Sequence, residues 1–331
     1  MNARENVLKI LKFNHPEYIV DDPPSYKLYY HGCNHEGYKE GGHDSPLGSK
    51  WRDIWGTEWH KKQEGVMAFP VNYPITEINM LKDFDWPDPN DERICGKIYK
   101  LYESYPGDDL FLWGSHRDPL WEKAHMLVGM ENMMIYFKTE PEFVKELLHK
   151  IMDFQLGIAA HYLKVGVEIV RLAEDLGTQR GLLLSPEIIQ NFLIPEYKRL
   201  LQVYREKDAI IIFHSCGHVE PVLEIFMQLG IDILNPVQAT ANNLERVREV
   251  TERRMALQGG VSSSTIMAGP VSRICEEVWE RIWQLGQNGG YFCSPDQVLP
   301  FPEPHIKAFN EAVEKYGQYP LKKPEKYCYE K

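Results

Sequence analysis

The sequence predicts an α/β fold and, within that class, a single (β/α)8 TIM barrel. Three observations lead to this prediction. The chain has 331 residues, a usual length for one such barrel. From about residue 66 onward, short apolar runs typical of strands alternate with helical patterns. No G-x-G-x-x-G sequence stands between an early strand and the next helix, which disfavours the main alternative, a doubly wound open sheet.

Seven short runs have the residue types of strands. They are residues 66–70, 110–114, 168–172, 209–213, 231–235, 255–259 and 290–293. Two of the helices between them are clear. One spans about 142–163, and another begins after Ser185, which suits an N-cap and is followed by Pro186 in the first turn. Seven or eight strand–helix units of this kind fit a closed parallel sheet.

Residues 1–65 have a different character. We expect a helix over about 3–12, followed by long loops rich in Gly, His and Tyr. Loops of this length usually carry a function or are disordered, and Trp51, Trp55 and Trp59 favour order. We therefore predict one domain over 1–331, with this segment folded over the mouth of the barrel.

Composition excludes several kinds of partner. The net charge is -11 and no Lys/Arg cluster is present, which disfavours nucleic acid. No apolar stretch is long enough for a membrane span or a signal peptide, so we expect no membrane contact and a cytoplasmic location. The six cysteines are accordingly expected to be reduced thiols rather than disulfides.

Polar residues follow several of the predicted strands, where barrel enzymes carry their chemistry. His214 and Cys216 come directly after one strand, and Cys293 ends a later one. An imidazole and two thiolates form a ligand set that selects zinc, and three protein ligands leave one position open, as in catalytic sites. The residue types and spacing leave an ordinary alternative open, because His-x-Cys occurs by chance and a single cysteine is commonly a buried thiol.

Several longer segments resemble the uroporphyrinogen decarboxylase superfamily, in order and over nearly the whole chain. They are residues 174–179, 184–187, 213–221, 230–238 and 289–295. The decarboxylase branch carries an arginine-rich segment near its N-terminus that this sequence lacks. His214, Cys216 and Cys293 instead match the H-x-C and distant C of the cobalamin-dependent methyltransferase branch, which includes coenzyme M methyltransferases.

This resemblance implies a zinc-dependent methyltransferase that moves a methyl group between a small substrate and a corrinoid (cobalamin) bound to a partner protein. Zinc would either lower the pKa of a substrate thiol or act as a Lewis acid on a methylated substrate. The N-terminal region differs from that of the best-known coenzyme M enzymes, so demethylation of an ether or amine fits equally well. The alternative function is a decarboxylase-like lyase acting on a carboxylated substrate, with Arg117 and Arg171 as the basic groups.

Further residues complete the predicted site. Asp175 and Glu174 follow a strand and are predicted to act as general acid or base or to orient His214; an ion pair with Arg171 or Arg180 is the alternative. Four side chains are predicted to contact the substrate: His116, His218, Gln238 and Tyr291. For His218 a surface position is the alternative.

The remaining cysteines are expected to lie outside the metal site. Cys33 has His31 and His35 beside it, but we interpret these as loop residues because no fourth ligand is near in sequence. Cys275 lies in a helical pattern and is predicted to belong to the core. Cys95 and Cys328 are assigned no role.

Overall fold

The structure is a computed structural model, and it describes residues 2–32, 45–107 and 109–324. Within these ranges His31 is buried. Cys33, His35 and Cys328 lie outside the described residues, so the predictions made for them stay predictions.

Two sheets are present in the described residues. The strands are β1 (Ser25–Leu28), β2 (Lys50–Arg52), β3 (Glu58–His60), β4 (Phe69–Asn72), β5 (Phe111–Arg117), β6 (Ile169–Ala173), β7 (Ile210–His214), β8 (Ile233–Val237), β9 (Ala256–Val261) and β10 (Tyr291–Pro295). The main sheet has seven parallel strands in the order β1-β5-β6-β7-β8-β9-β10, and β2-β3-β4 form a small antiparallel sheet. The predicted α/β class is confirmed.

The first strand of the parallel sheet was predicted in the wrong place. The run 66–70 overlaps β4, which belongs to the antiparallel sheet, and β1 at Ser25–Leu28 opens the parallel sheet instead. Only Leu28 of the four β1 residues is buried, so its pattern gives no clear strand signal. Pairing with β5 decides its conformation.

Helices separate most of the main strands and form an outer layer. They are α1 (Ala3–Leu11), α2 (Glu92–Tyr102), α3 (Trp121–Val128), α4 (Met130–Thr139), α5 (Pro141–Lys164), α6 (Pro186–Ile188), α7 (Ile194–Arg205), α8 (Leu223–Gln228), α9 (Leu244–Thr251), α10 (Ser263–Ala268), α11 (Val271–Gly286) and α12 (Glu303–Tyr316). Short 3-10 turns span Ile78–Asp83 and Glu220–Val222, and one π turn, Ile189–Leu193, joins α6 to α7. In the part of the chain that is described, no helix is both long and apolar enough to cross a bilayer.

Local sequence signals account for the helix boundaries that were predicted. α5 covers the predicted range 142–163 with one residue added at each end. At the start of α6, the Ser185 hydroxyl accepts a hydrogen bond from Ile188 N at 3.2 Å. Pro186 follows at the first helical position, where the lack of an N–H costs nothing.

The main sheet curls around an apolar interior. Side chains from strands across the sheet meet in one buried cluster: Phe111, Trp113, Ile169, Ile212, Ile233, Ala256 and Phe292. Val7 and Ile10 of α1 join the same cluster and fill the end of the sheet where the strands begin. Cys293 N donates to Val20 O at 2.9 Å, so the segment leading into β1 contacts the far edge, at β10.

On the same strands, the residues that alternate with this interior cluster point outward to the helix layer. Leu172, Phe213, Leu234 and Leu257 belong to the large core between the sheet and the helices. Because strand side chains alternate between the two faces, each position at a strand end faces either the interior or the helix layer. This alternation determines which of the predicted site residues lie together.

Candidate metal centre

A cavity of about 910 Å3, as bounded by the described residues, lies where the main strands end. Arg171, Asp175, His214 and Cys216 contribute to its wall, each from β6, β7 or the residues just after them. Sites of this volume take small organic molecules. Its position matches the expectation that the chemistry of a barrel lies at the carboxyl ends of the strands.

Three side chains on this wall form a group that can hold a metal ion. One ligand atom from each of Asp175, His214 and Cys216 lies within 4.8 Å of the other two. His214 Nε2 is 3.4 Å from Cys216 Sγ and 3.7 Å from Asp175 Oδ1. Oxygen, nitrogen and sulfur ligands of these kinds are those that zinc takes, and the open cavity beside them leaves room for a further ligand. The chemistry of the three donors fits zinc.

A chain of hydrogen bonds reaches Nδ1 of the His214 ring. The chain of bonds starts at Asp21 O, which can only accept and takes a hydrogen bond from Gln258 Nε2 at 2.9 Å. Gln258 Oε1 therefore accepts from Asn235 Nδ2 at 3.0 Å, which turns Asn235 Oδ1 toward His214 Nδ1, 2.6 Å away. When Nδ1 carries the proton it donates to Asn235 Oδ1, and Nε2 then offers its lone pair on the side of Cys216.

Electrostatics keeps the His214 ring neutral. Burial lowers the pKa of His214 to about 4, and the Arg171 guanidinium beside it acts in the same direction. Arg171 Nη2 lies 2.5 Å from Nδ1 and donates to Asn235 Oδ1 at 3.2 Å. A neutral imidazole is the form that binds metals.

The Cys216 thiol must lose its proton to bind a metal ion. Burial raises its pKa to about 12, and the nearby Asp175 carboxylate adds to the effect. Without a cation this thiol keeps its proton at neutral pH. A bound divalent ion reverses the balance, because a coordinating thiol loses its proton.

Two glycines let the loops after β6 and β7 come together. Gly217 has φ of +81°, a conformation that other residues rarely adopt, and a Cβ there would lie 2.6 Å from Gly177 C. A Cβ on Gly177 would lie 2.7 Å from Cys216 O. The close approach lets Cys216 N donate to Asp175 Oδ1 at 2.8 Å, which brings the two side chains to one site.

Cys293 lies away from this group, although it was predicted as the third ligand. Its side chain is fully buried in the core between the sheet and the helices, beside Tyr291, and burial raises its pKa to about 12. On β10, Phe292 points to the interior, so Cys293 points outward and Ser294 lines the cavity. Strand alternation therefore separates Cys293 from His214 and Cys216.

Glu174 and Asp175 are separated by the same alternation. Asp175 lines the cavity, whereas Glu174 is fully buried on the outer side, where the Tyr197 hydroxyl and Glu122 N donate to it. Burial raises the pKa of Glu174 to about 8. Among the described residues neither carboxylate forms the ion pair with Arg171 or Arg180 that was the alternative for them.

His116 and Tyr291, two of the predicted substrate contacts, also face the outer layer. His116 is fully buried, with Nδ1 2.7 Å from Gln155 Oε1 and Nε2 2.6 Å from the Tyr204 hydroxyl. The Tyr291 hydroxyl donates to Gly259 O at 2.7 Å. Neither is part of the cavity wall.

His218 and Gln238, the other two, support the loop after β7. His218 Nδ1 lies 2.8 Å from Ala241 O. Gln238 Oε1 accepts from Gly217 N at 2.5 Å. Both side chains lie behind the cavity wall rather than on it, so they hold the loop that carries Cys216.

Sequence reasoning missed several wall residues, among them Gln297 and Glu122. Gln297 Nε2 lies 2.9 Å from Cys216 Sγ, and the amide turned over would present its oxygen instead. Glu122 Oε2 accepts from Asp175 N at 3.0 Å, and burial with the Asp118 charge raises its pKa to about 10. Gln297 follows β10 by two residues, a position that could have been noticed in the sequence, whereas Glu122 lies in the first turn of α3.

Comparison with known proteins places the chain in a family. The family model for uroporphyrinogen decarboxylase (URO-D) matches residues 62–316, which is most of the chain. The chain belongs to the uroporphyrinogen decarboxylase family. This confirms the resemblance seen in the sequence.

Curated relatives include two methyltransferases and a decarboxylase. The chain is 28% identical over 156 residues to methylated-thiol–coenzyme M methyltransferase of Methanosarcina mazei, covering 46% of this chain and 41% of that protein. It is 20% identical over 175 residues to methylcobamide:CoM methyltransferase of the same organism (53% and 50% covered), and 26% identical over 184 residues to uroporphyrinogen decarboxylase of Flavobacterium johnsoniae (54% and 50% covered). The matches span about half the length of these relatives or less.

A solved structure supports the fold of this family member. A methyltransferase from Methanosarcina mazei superimposes with a TM-score of 0.71, covering 96% of this chain and 99% of that one. The sequence identity is 18%, so the likeness concerns the fold.

Proposed function

We propose that this chain is a zinc-dependent methyltransferase that moves a methyl group between a small substrate and a corrinoid carried by a partner protein. The observation that supports it most is the group of Asp175, His214 and Cys216, with Nε2 of His214 3.4 Å from Cys216 Sγ. We also infer that the curled sheet of seven strands closes into a (β/α)8 TIM barrel in which the segment at Val20 takes the eighth position, because Cys293 N of β10 donates to Val20 O.

The residues of the chain would have distinct tasks. Asp175, His214 and Cys216 would hold zinc, with Asn235 and Gln258 keeping the imidazole oriented. The ion would polarise the heteroatom of a methylated substrate or lower the pKa of a substrate thiol. The cavity beside the three ligands would position the substrate with its methyl group toward the entering corrinoid.

The two methyltransferase relatives support this proposal. Uroporphyrinogen decarboxylase is also a relative, so the lyase alternative is the competing outcome to test. The ligand group favours the methyltransferase, since a decarboxylation has no evident use for a thiol and an imidazole held together by a dedicated hydrogen-bond chain.

The test follows cobalamin spectra with the purified, zinc-loaded protein. One arm adds thiols to methylcobalamin, and the other adds aromatic methyl ethers to cob(I)alamin. We expect a spectral change in one arm and its loss in Cys216→Ser. The change should remain in the control Cys275→Ser, because the Cys275 thiol lies in the helix layer, where it donates a hydrogen bond to Ala308 O. No change in either arm, or zinc-independent release of CO2 from uroporphyrinogen, would contradict the proposal.

A further inference from the structure

Arg171 is a charged side chain of the cavity wall that has no charged partner. Lys27 lies 3.5 Å from Asp22, and Arg117 lies 3.6 Å from Asp118. By contrast, no carboxylate of the described residues lies within 4 Å of Arg171. A largely buried cation without an anion is costly, so such a group in a cavity calls for an anionic ligand.

The hydrogen bonds of Arg171 leave part of the guanidinium free. Nη2 faces His214 and Asn235, while Nη1 and Nε donate to no described residue. Nε is shielded from solvent, so Nη1 is the nitrogen that remains for a ligand. Arg171 thus has spare donors of the kind that bind carboxylates.

The nearest acidic side chain is already engaged. Asp22 acts electrostatically on Arg171, but its carboxylate is paired with Lys27 and accepts a hydrogen bond from Gln258 Nε2 at 3.0 Å. Asp22 therefore leaves Arg171 incompletely neutralised. The Arg117 side chain adds further positive charge on the same side.

An aromatic side chain lines the cavity together with Arg171. Tyr29 is 44% exposed and acts electrostatically on Arg171, whereas Trp113 is only 4% exposed and has Lys27 over its ring. The cavity volume, about 910 Å3 as bounded by the described residues, is much larger than a one-carbon substrate requires. The wall thus combines an uncommitted cation with an accessible aromatic ring.

From these observations we propose that Arg171 binds an oxyanion, foremost a carboxylate, of a ring-sized substrate, and holds it beside the metal ligands. The inference rests on the proposed function, because it takes the bound anion to be part of the methylated substrate. Arg171 would then serve in specificity, since a methyl compound without the anion would lose this contact.

Binding of benzoate to the full chain tests the inference without any methyl transfer. By calorimetry, we expect benzoate to bind and the neutral isostere benzamide to bind about 10- to 100-fold more weakly, the range for a charge-assisted contact. Arg171→Gln should weaken benzoate binding by a similar factor and leave benzamide unchanged. Arg254→Gln is the matched control, because Arg254 pairs with Glu224 outside the cavity.

Further arms separate the alternatives. Benzenesulfonate in place of benzoate distinguishes a carboxylate site from a general oxyanion site; stronger binding of benzoate supports the planar contact. Protein stripped of metal should still bind benzoate, which excludes the metal itself as the anchor. Wild-type protein that binds benzoate and benzamide equally overturns the inference even if the variant fails to fold.

The zinc content of the Arg171→Gln variant tests whether Arg171 only positions His214. If the variant loses zinc but keeps benzoate affinity, Arg171 only supports His214 and the inference is wrong. Benzoate binding that depends on Arg171 without any cobalamin reaction contradicts the proposed function instead. Methyl transfer from a neutral donor without benzoate binding contradicts only the inference.

Discussion

Cys216 and Cys293 look alike in the sequence but occupy different environments. Both were predicted to lie at the end of a parallel strand and to bind zinc, but Cys216 follows β7 by two residues and Cys293 lies in the middle of β10. Cys216 lines the cavity within reach of His214, whereas Cys293 is buried in the core with no exposed surface. The difference shows that a ligand must lie past the strand end or near it and must also point to the interior of the sheet.

Neighbouring residues repeat this contrast. Asp175 reaches the metal group and Glu174, one position earlier, reaches Tyr197 in the helix layer. His214 is partly exposed at the cavity and His116 is fully buried outside it, although burial lowers the pKa of both to about 4. The experiments below test each of these contrasts.

The largest effect is expected from the cysteines themselves. Cys216→Ser should lose the zinc that we expect at about one ion per chain, because one of three protein ligands is removed. Cys293→Ser should keep it, as should the control Cys275→Ser. The zinc content of each purified variant measures these outcomes. Zinc loss in Cys293→Ser alone would show that Cys293 is a ligand after all.

The second prediction concerns the outer histidine. Unfolded His116 takes up a proton near pH 6.5, whereas in the folded chain burial lowers its pKa to about 4. The unfolded chain therefore binds more protons between these values, and His116 makes stability fall as pH drops from 6.5 to 4, by about 3 kcal/mol.

His116→Gln should remove this part of the pH dependence. Urea unfolding of wild type and variant at several pH values between 4.5 and 7 measures the difference in slope. His15→Gln, at an exposed position, is the control for the loss of a histidine as such. Equal slopes for wild type and His116→Gln would contradict the lowered pKa of His116 in the folded protein.

The third prediction concerns the hydrogen-bond chain behind His214. Asn235→Leu removes the acceptor that holds the proton on Nδ1, so zinc affinity should fall about 10- to 100-fold, as for other groups that orient a ligand. Competition with a chelator measures it. Asn243→Leu, which changes the N-cap of α9 instead, should not alter the affinity.

The smallest effect is expected for the stability of the metal-free cysteine variants. Cys293→Ser places a hydroxyl in an apolar site and should destabilise the fold by about 1 kcal/mol. Cys216→Ser, at the cavity wall, should change the unfolding free energy less. If Cys216→Ser destabilised the chelator-treated protein more than Cys293→Ser, the Cys293 thiol would be the more accessible of the two.

Much of the fold could be predicted from the sequence because its signals are local. Apolar runs and the Ser185 N-cap predicted six of the seven parallel strands and the start of α6 within a few residues. β1 was missed because its residues are mostly polar and its pairing with β5 spans some 85 residues of chain.

Residue identity and short spacing were enough to identify the α/β class and the family and to predict His214 and Cys216 as a pair of metal ligands. Only the tertiary structure decided that Asp175 joins them and that Cys293 and Glu174 face outward. The physical reason is the alternation of strand side chains, which assigns a face only once register and curl are fixed.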